Sequence, residues 1–247
     1  MSLKNKFTVG EIVTFITHPL LYNFKIESNG KSVPPLMIVK EVFFENKKKK
    51  IFDEETGNRI AERIKYTCTY FDDIKSEFKE VIIYESMLES FKKLYIARLD
   101  GKKKSNEEGY ESLRTEVLSY KNPKYKFGEI INFKTKKLEI LKKRSSMKII
   151  VELKGEKEDK LDKKVSTTEY VTNYTTPEFV LSGLKKEKQE DLFYPNGDKK
   201  RLVSETLYKV KWFNHYQMKF SEQYLPIECF IDKFPFETKE SHIAEKK

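Results

Sequence analysis

A chain of 247 residues with 38% hydrophobic and 13% aromatic content can bury two modest cores or one large one. No apolar run approaches the roughly 18 residues that cross a bilayer as a helix, and the start, Met1-Ser2-Leu3-Lys4-Asn5-Lys6, lacks a signal-peptide stretch. A cytoplasmic protein without a membrane partner is expected, and its net charge of +10 is uneven: residues 1–91 hold 14 basic and 14 acidic groups, residues 125–233 hold 23 and 17.

In chain order, Gly10-Glu11-Ile12-Val13-Thr14-Phe15 alternates as a strand, with Gly10 in the turn that starts it. A loop with an Asn29-Gly30 turn follows. Pro34-Pro35 then open a second strand through Phe44, proline being tolerated at a strand's first residue or edge. Lys47 to Lys50 cannot pack and mark a solvated connection. In Ala61 to Phe71, Ile64, Tyr66, Cys68 and Tyr70 share one side, which predicts a half-buried antiparallel strand. Asp72-Asp73 makes a turn, Glu77 to Ile83 the next strand, and Glu85 to Phe91 a short helical turn. A charged linker over 92–124 holds a helix expected at Glu107 to Leu118. Beyond it come an exposed mixed-charge loop over 155–164 and a short helix after Thr175 or Thr176, with Pro177 in its first turn. Strands at Leu207 to Phe213 and Lys219 to Leu225 precede a frayed tail from Phe234.

The chain repeats itself. Phe7-Thr8-Val9-Gly10-Glu11-Ile12-Val13-Thr14-Phe15 returns 118 residues later as Tyr125-Lys126-Phe127-Gly128-Glu129-Ile130-Ile131-Asn132-Phe133, and Lys65 to Glu80 returns 142 residues later as Leu207 to Glu222. This predicts an internal duplication, with 24 extra residues in the second copy that include 155–164 and 175–184. The expected fold is mainly β: two tandem SH3-like barrels over 1–91 and 125–233, a partly helical linker over 92–124, and a flexible tail over 234–247.

The opening Gly-Glu strand, the proline-led Leu36-Met37-Ile38-Val39 strand, and Cys68-Thr69-Tyr70-Phe71-Asp72 followed by Phe78 resemble the YodC-like family of small uncharacterised proteins. That family's pattern runs from a valine-rich strand through Pro-x-Met-x-Val to Cys-x-Trp-Phe/Tyr and a last strand beginning with Phe. The first copy has Tyr70 for the tryptophan. The second keeps Trp212-Phe213, with Val210 for the cysteine and no proline before Met147. The resemblance implies an SH3-like fold without an established activity.

Catalysis finds little footing. Gly10-Glu11 and Gly128-Glu129 read as repeated turns, and His18 and His215 come without a nucleophile motif. Cys68 and Cys229 sit at non-equivalent positions, which predicts two reduced, buried thiols, no metal site and no cofactor. Two candidate surfaces remain. Lys134, Lys136, Lys137, Lys142, Lys143, Arg144 and Lys148 face only Glu139, a concentration suited to salt-sensitive phosphate contact. In the adjacent pairs Tyr70-Phe71 and Trp212-Phe213 one member must point away from the core, and with Tyr216 these form a candidate aromatic partner site. The expected role is a non-catalytic binding or adaptor protein of a larger assembly, the second copy touching nucleic acid non-specifically; the alternative is a pure protein–protein interaction module.

Overall fold

A computed structural model describes residues 4–21, 33–46, 51–52, 54–97, 108–118, 125–135, 137–152 and 160–240. The Asn29-Gly30 turn, the tetralysine, Lys136 and residues 155–159 of the expected loop lie outside them, while residues 160–164 of that loop are strand. Among the described residues the protein is mainly β, built from open antiparallel sheets, and no helix is long and apolar enough to cross a membrane.

In the first half, β1 (Ile12–Phe15), β2 (Leu36–Phe44), β5 (Ile64–Asp72), β6 (Glu77–Tyr84) and β7 (Leu88–Ser90) form a sheet ordered β6-β5-β2-β1-β7; β3 (Ile51–Phe52) and β4 (Arg59–Ile60) pair as a small hairpin. β8 (Lys93–Ala97) and β9 (Glu108–Leu113) follow, then a four-residue helix α1 (Thr115–Leu118). In the second half, β10 (Ile130–Phe133), a long ribbon of β11 (Lys137–Glu152) and β12 (Lys160–Thr175), β13 (Glu178–Lys186), β14 (Arg201–Val203), β15 (Thr206–Asn214), β16 (Lys219–Pro226), β17 (Phe230–Ile231) and β18 (Phe236–Glu240) complete the chain.

The second sheet runs β16-β15-β13-β10-β17, the order of the first. Registers agree position for position: Ile12↔Ile38 and Val13↔Met37 in one, Ile130↔Val180 and Ile131↔Phe179 in the other. A bulge between Val39 and Glu41 has its counterpart between Leu181 and Gly183. Gly10 and Gly128 take left-handed φ of 84° and 82°, and Ser76 and Met218 take 55° and 52°. Gly10 N–H bonds the Val39 carbonyl as Gly128 N–H bonds that of Leu181, each at 2.8 Å.

Three expectations change. Glu178 to Lys186 is a strand, not a helix: it is the counterpart of β2, and Pro177 stands where Pro35 does, so the second half has its strand-opening proline after all. The extra residues therefore all fall between β10 and β13, where the ribbon occupies the place of the first half's loop. Half of the helix expected in the linker is β9, only Thr115–Leu118 being helical, and the tail is ordered as far as β18; β9, β18 and β8 form a three-stranded sheet in which Phe236 is buried and packs edge to face on Phe91.

Burial ties the halves together. One apolar cluster, with Phe7, Val13, Met37, Val39, Tyr66, Cys68 and Leu88, belongs to the first half. The other joins Ile12, Leu36, Ile38 and Phe78 from the opposite face of that sheet to Ile131, Phe133, Phe179, Leu181, Val210 and Phe230 of the second half. Strand alternation makes this inevitable, since Leu36 and Ile38 point one way and Met37 and Val39 the other. Both faces of the first sheet are consequently buried there. β14 adds a second tie by pairing with β2 across Arg201↔Phe43 and Val203↔Glu41, with the Arg201 guanidinium ion-paired to Glu41 and the Tyr194 hydroxyl donating to the Phe44 carbonyl at 2.7 Å.

Candidate functional site

Where the halves meet, the β5–β6 turn of the first inserts beside the end of β15. Asp72 starts that turn by accepting the Ile74 and Lys75 amides on Oδ1 at 3.0 and 3.2 Å. This leaves the Lys75 and Ser76 carbonyls facing the second half. Trp212 Nε1 donates to the Ser76 carbonyl at 2.7 Å, and Asn214 Nδ2 donates to the same oxygen at 3.0 Å and to that of Lys75 at 3.2 Å. The Trp212 ring lies edge to face against Phe71, Phe78 and Phe179, at centroid distances of 6.0, 5.4 and 5.6 Å. An indole fixed by both its N–H and three aromatic edges is a rigid wall.

Beside that wall opens a cleft of about 450 Å³. Phe71, Trp212 and Phe213 line it with Ile130, Pro177 and Val180, and its polar groups are Asp73, Ser76, Glu178, Lys211 and His215. Phe213 is exposed at its lip, because alternation along β15 turns it away from the core side that receives Trp212. Three of the five aromatic candidates thus come together. Tyr216 is exposed in the turn beyond His215 and is not a wall of the cleft, while Tyr70 packs against the first half's own core, on the face of β5 opposite Phe71.

The basic candidates divide differently. Lys134 is 3% exposed, which removes it from a phosphate-contacting surface: at the end of β10 its N–H bonds the Cys229 carbonyl, and its ammonium reaches the Gly10 carbonyl of the other half at 3.4 Å. Burial lowers its pKa from the ordinary lysine value. Lys137, Lys142, Lys143, Arg144 and Lys148 all lie on β11, in register with Thr175, Tyr170, Glu169, Thr168 and Lys164 of β12.

Sequence reading missed Ile130, Val180 and Ser76. The first two were signalled by unbroken apolar runs such as Leu36 to Val39 and Ile130-Ile131, which mark strands with apolar residues on both faces. Ser76 Oγ lies 3.0 Å from His215 Nδ1, with Asp73 lining the same cleft. The Ser76 residue is buried, and its left-handed φ recurs at Met218, so the conformation belongs to the repeated turn. Both cysteines are reduced and buried, and burial pushes the Cys68 thiol up to about 12. No known protein-family model, curated protein or solved structure matches the chain.

Proposed function

We propose that this is a non-catalytic binding module of two duplicated SH3-like halves, which takes an apolar segment of a partner protein into the aromatic cleft at their junction. The observation that carries the reading is the cleft itself: a preformed, mostly apolar hollow with an immobilised tryptophan wall, an exposed phenylalanine at its lip and a few convergent polar groups, the usual make-up of a ligand site. The matching order of short antiparallel strands, each sheet with a 3₁₀ turn before its last strand, supports the SH3-like assignment and fits the YodC-like resemblance. In this reading the Ser76–His215 contact holds the junction together, and the protein acts as a cytoplasmic adaptor in a larger assembly. Capture of partners by the tagged full chain, with and without nuclease, tests it. Phe213→Ala, which touches an exposed side chain, should lose the partner without altering the unfolding curve. Undiminished capture by that variant rejects the cleft.

The ribbon favours a second reading, nucleic-acid contact. Sixteen paired residues extend over roughly 50 Å, and a two-stranded ribbon is an element that a DNA major groove admits. Lysine-led contact of this kind is tolerant of sequence and steeply salt-dependent. Filter binding of the full chain at two salt concentrations decides it: no retention at low salt disposes of the reading.

A further inference from the structure

The outer face of the second sheet has a counterpart whose cover is visible. In the first half Ile12, Ile38, Phe71 and Phe78 occupy that face, and the second half packs on all four. Their counterparts Ile130, Val180, Phe213 and Phe220 are as apolar, yet they are 60%, 41%, 47% and 71% exposed. Phe213 and Phe220 hold each other edge to face with centroids 5.5 Å apart, and Phe213 lines one cleft with Val180 and Ile130, which makes the patch continuous. A contiguous apolar patch on a sheet face marks an interaction surface. The faces differ in charge at several positions, among them Glu178 where the first half has Leu36, Lys211 where it has Thr69 and Lys209 where it has Thr67. In register Lys211 lies opposite Val180 and Glu222 opposite Lys211, their charged groups 2.7 Å apart, so the face carries both signs of charge among its apolar residues.

We infer that this face is closed by a second copy of the chain, placed about a two-fold axis so that Ile130, Val180, Phe213 and Phe220 meet their own duplicates. The inference rests on reading this side of the cleft as a protein-binding surface, and it names the occupant. A copy stacked head to tail, repeating the junction between the halves, would lack the asparagine donors that the junction uses. In every copy Trp212 and Asn214 are engaged by their own Ser76 and Lys75 carbonyls. The first half offers Tyr70 and Asp72 instead: the tyrosine hydroxyl can donate, but the carboxylate donates nothing to a carbonyl. A two-fold pair needs only self-complementarity. Charges of both signs interleaved with the apolar side chains have that property, because Glu178 of one copy can meet Lys211 of the other. A single-signed polymer finds no matching field on this face.

Sedimentation equilibrium of the full chain tests the pairing. The wild type should show a reversible monomer–dimer equilibrium, and Phe220→Asp, which sets a carboxylate against the apolar centre in both copies, should weaken it about tenfold or more. Phe193→Asp, at an exposed phenylalanine outside the face, should leave the equilibrium as it is. A wild type that stays monomeric at every accessible concentration overturns the inference, as does a dimer indifferent to Phe220→Asp. If such a monomer still captures another protein through Phe213, self-association falls while the cleft reading stands.

Discussion

Asn214 and Asp72 hold the same position in two matching turns, and their side chains differ by one atom type. Each caps its own turn: Asp72 accepts the Lys75 amide, and Asn214 Oδ1 accepts the Gln217 amide at 2.9 Å. Only the asparagine also donates, and both its donated bonds cross to the other half. Asn214→Asp keeps the cap, removes the crossing bonds and presses a carboxylate against two carbonyls. A cost of about 2–3 kcal/mol is expected, read as a lower urea midpoint at pH 7. His18 supplies the pH dependence. It is buried after β1, and burial pushes its pKa down from 6.5 to about 4. The folded state therefore binds fewer protons than the unfolded one, and this contribution is whole above pH 6.5 and declines as pH falls toward 4. Between pH 6.5 and 5 the loss should reach about 2 kcal/mol, and His18→Gln should flatten the slope of stability against pH over that range.

Among the elements, the ribbon is the one the fold least depends on. β11 and β12 form a sheet of their own, pairing with each other only. Replacing residues 137–175 with a short turn should leave the thermal midpoint within a few degrees of the wild type, since loop length costs little stability, while abolishing any nucleic-acid retention. The strands that the two matching sheets share were largely legible in the sequence, because turn glycines and alternating residues recur at fixed offsets and local sterics decide both. β13 was not legible. Thr175-Thr176-Pro177 carries the signature of a helix start, and only pairing with β10 and β15 shows that the same proline opens a strand. β9 failed for a like reason: β8 precedes it closely, but its other partner, β18, lies more than a hundred residues further on, and local propensity carries no trace of it.

For the molecule as a whole, the shared core makes the halves one cooperative unit rather than two beads. Phe78 touches Phe71, Phe133, Phe179 and Trp212 through ring contacts on both sides of the junction. Phe78→Ala should cost about 3–5 kcal/mol, and fluorescence and circular dichroism should still report one coincident transition; two separated transitions would mean that each half folds alone. The junction was the least legible feature of all. Phe71 and Phe213, or Phe78 and Phe220, look alike in the sequence, and which member is buried depends on a neighbour more than a hundred residues away. β14 extends the same dependence into time. The strand that flanks Glu41 to Phe43 is supplied by residues 201–203, so during synthesis the first half leaves the ribosome with one edge of β2 bare. At some 5–20 residues per second, that edge waits on the order of ten seconds for its partner, and in that interval the nascent chain needs shielding most.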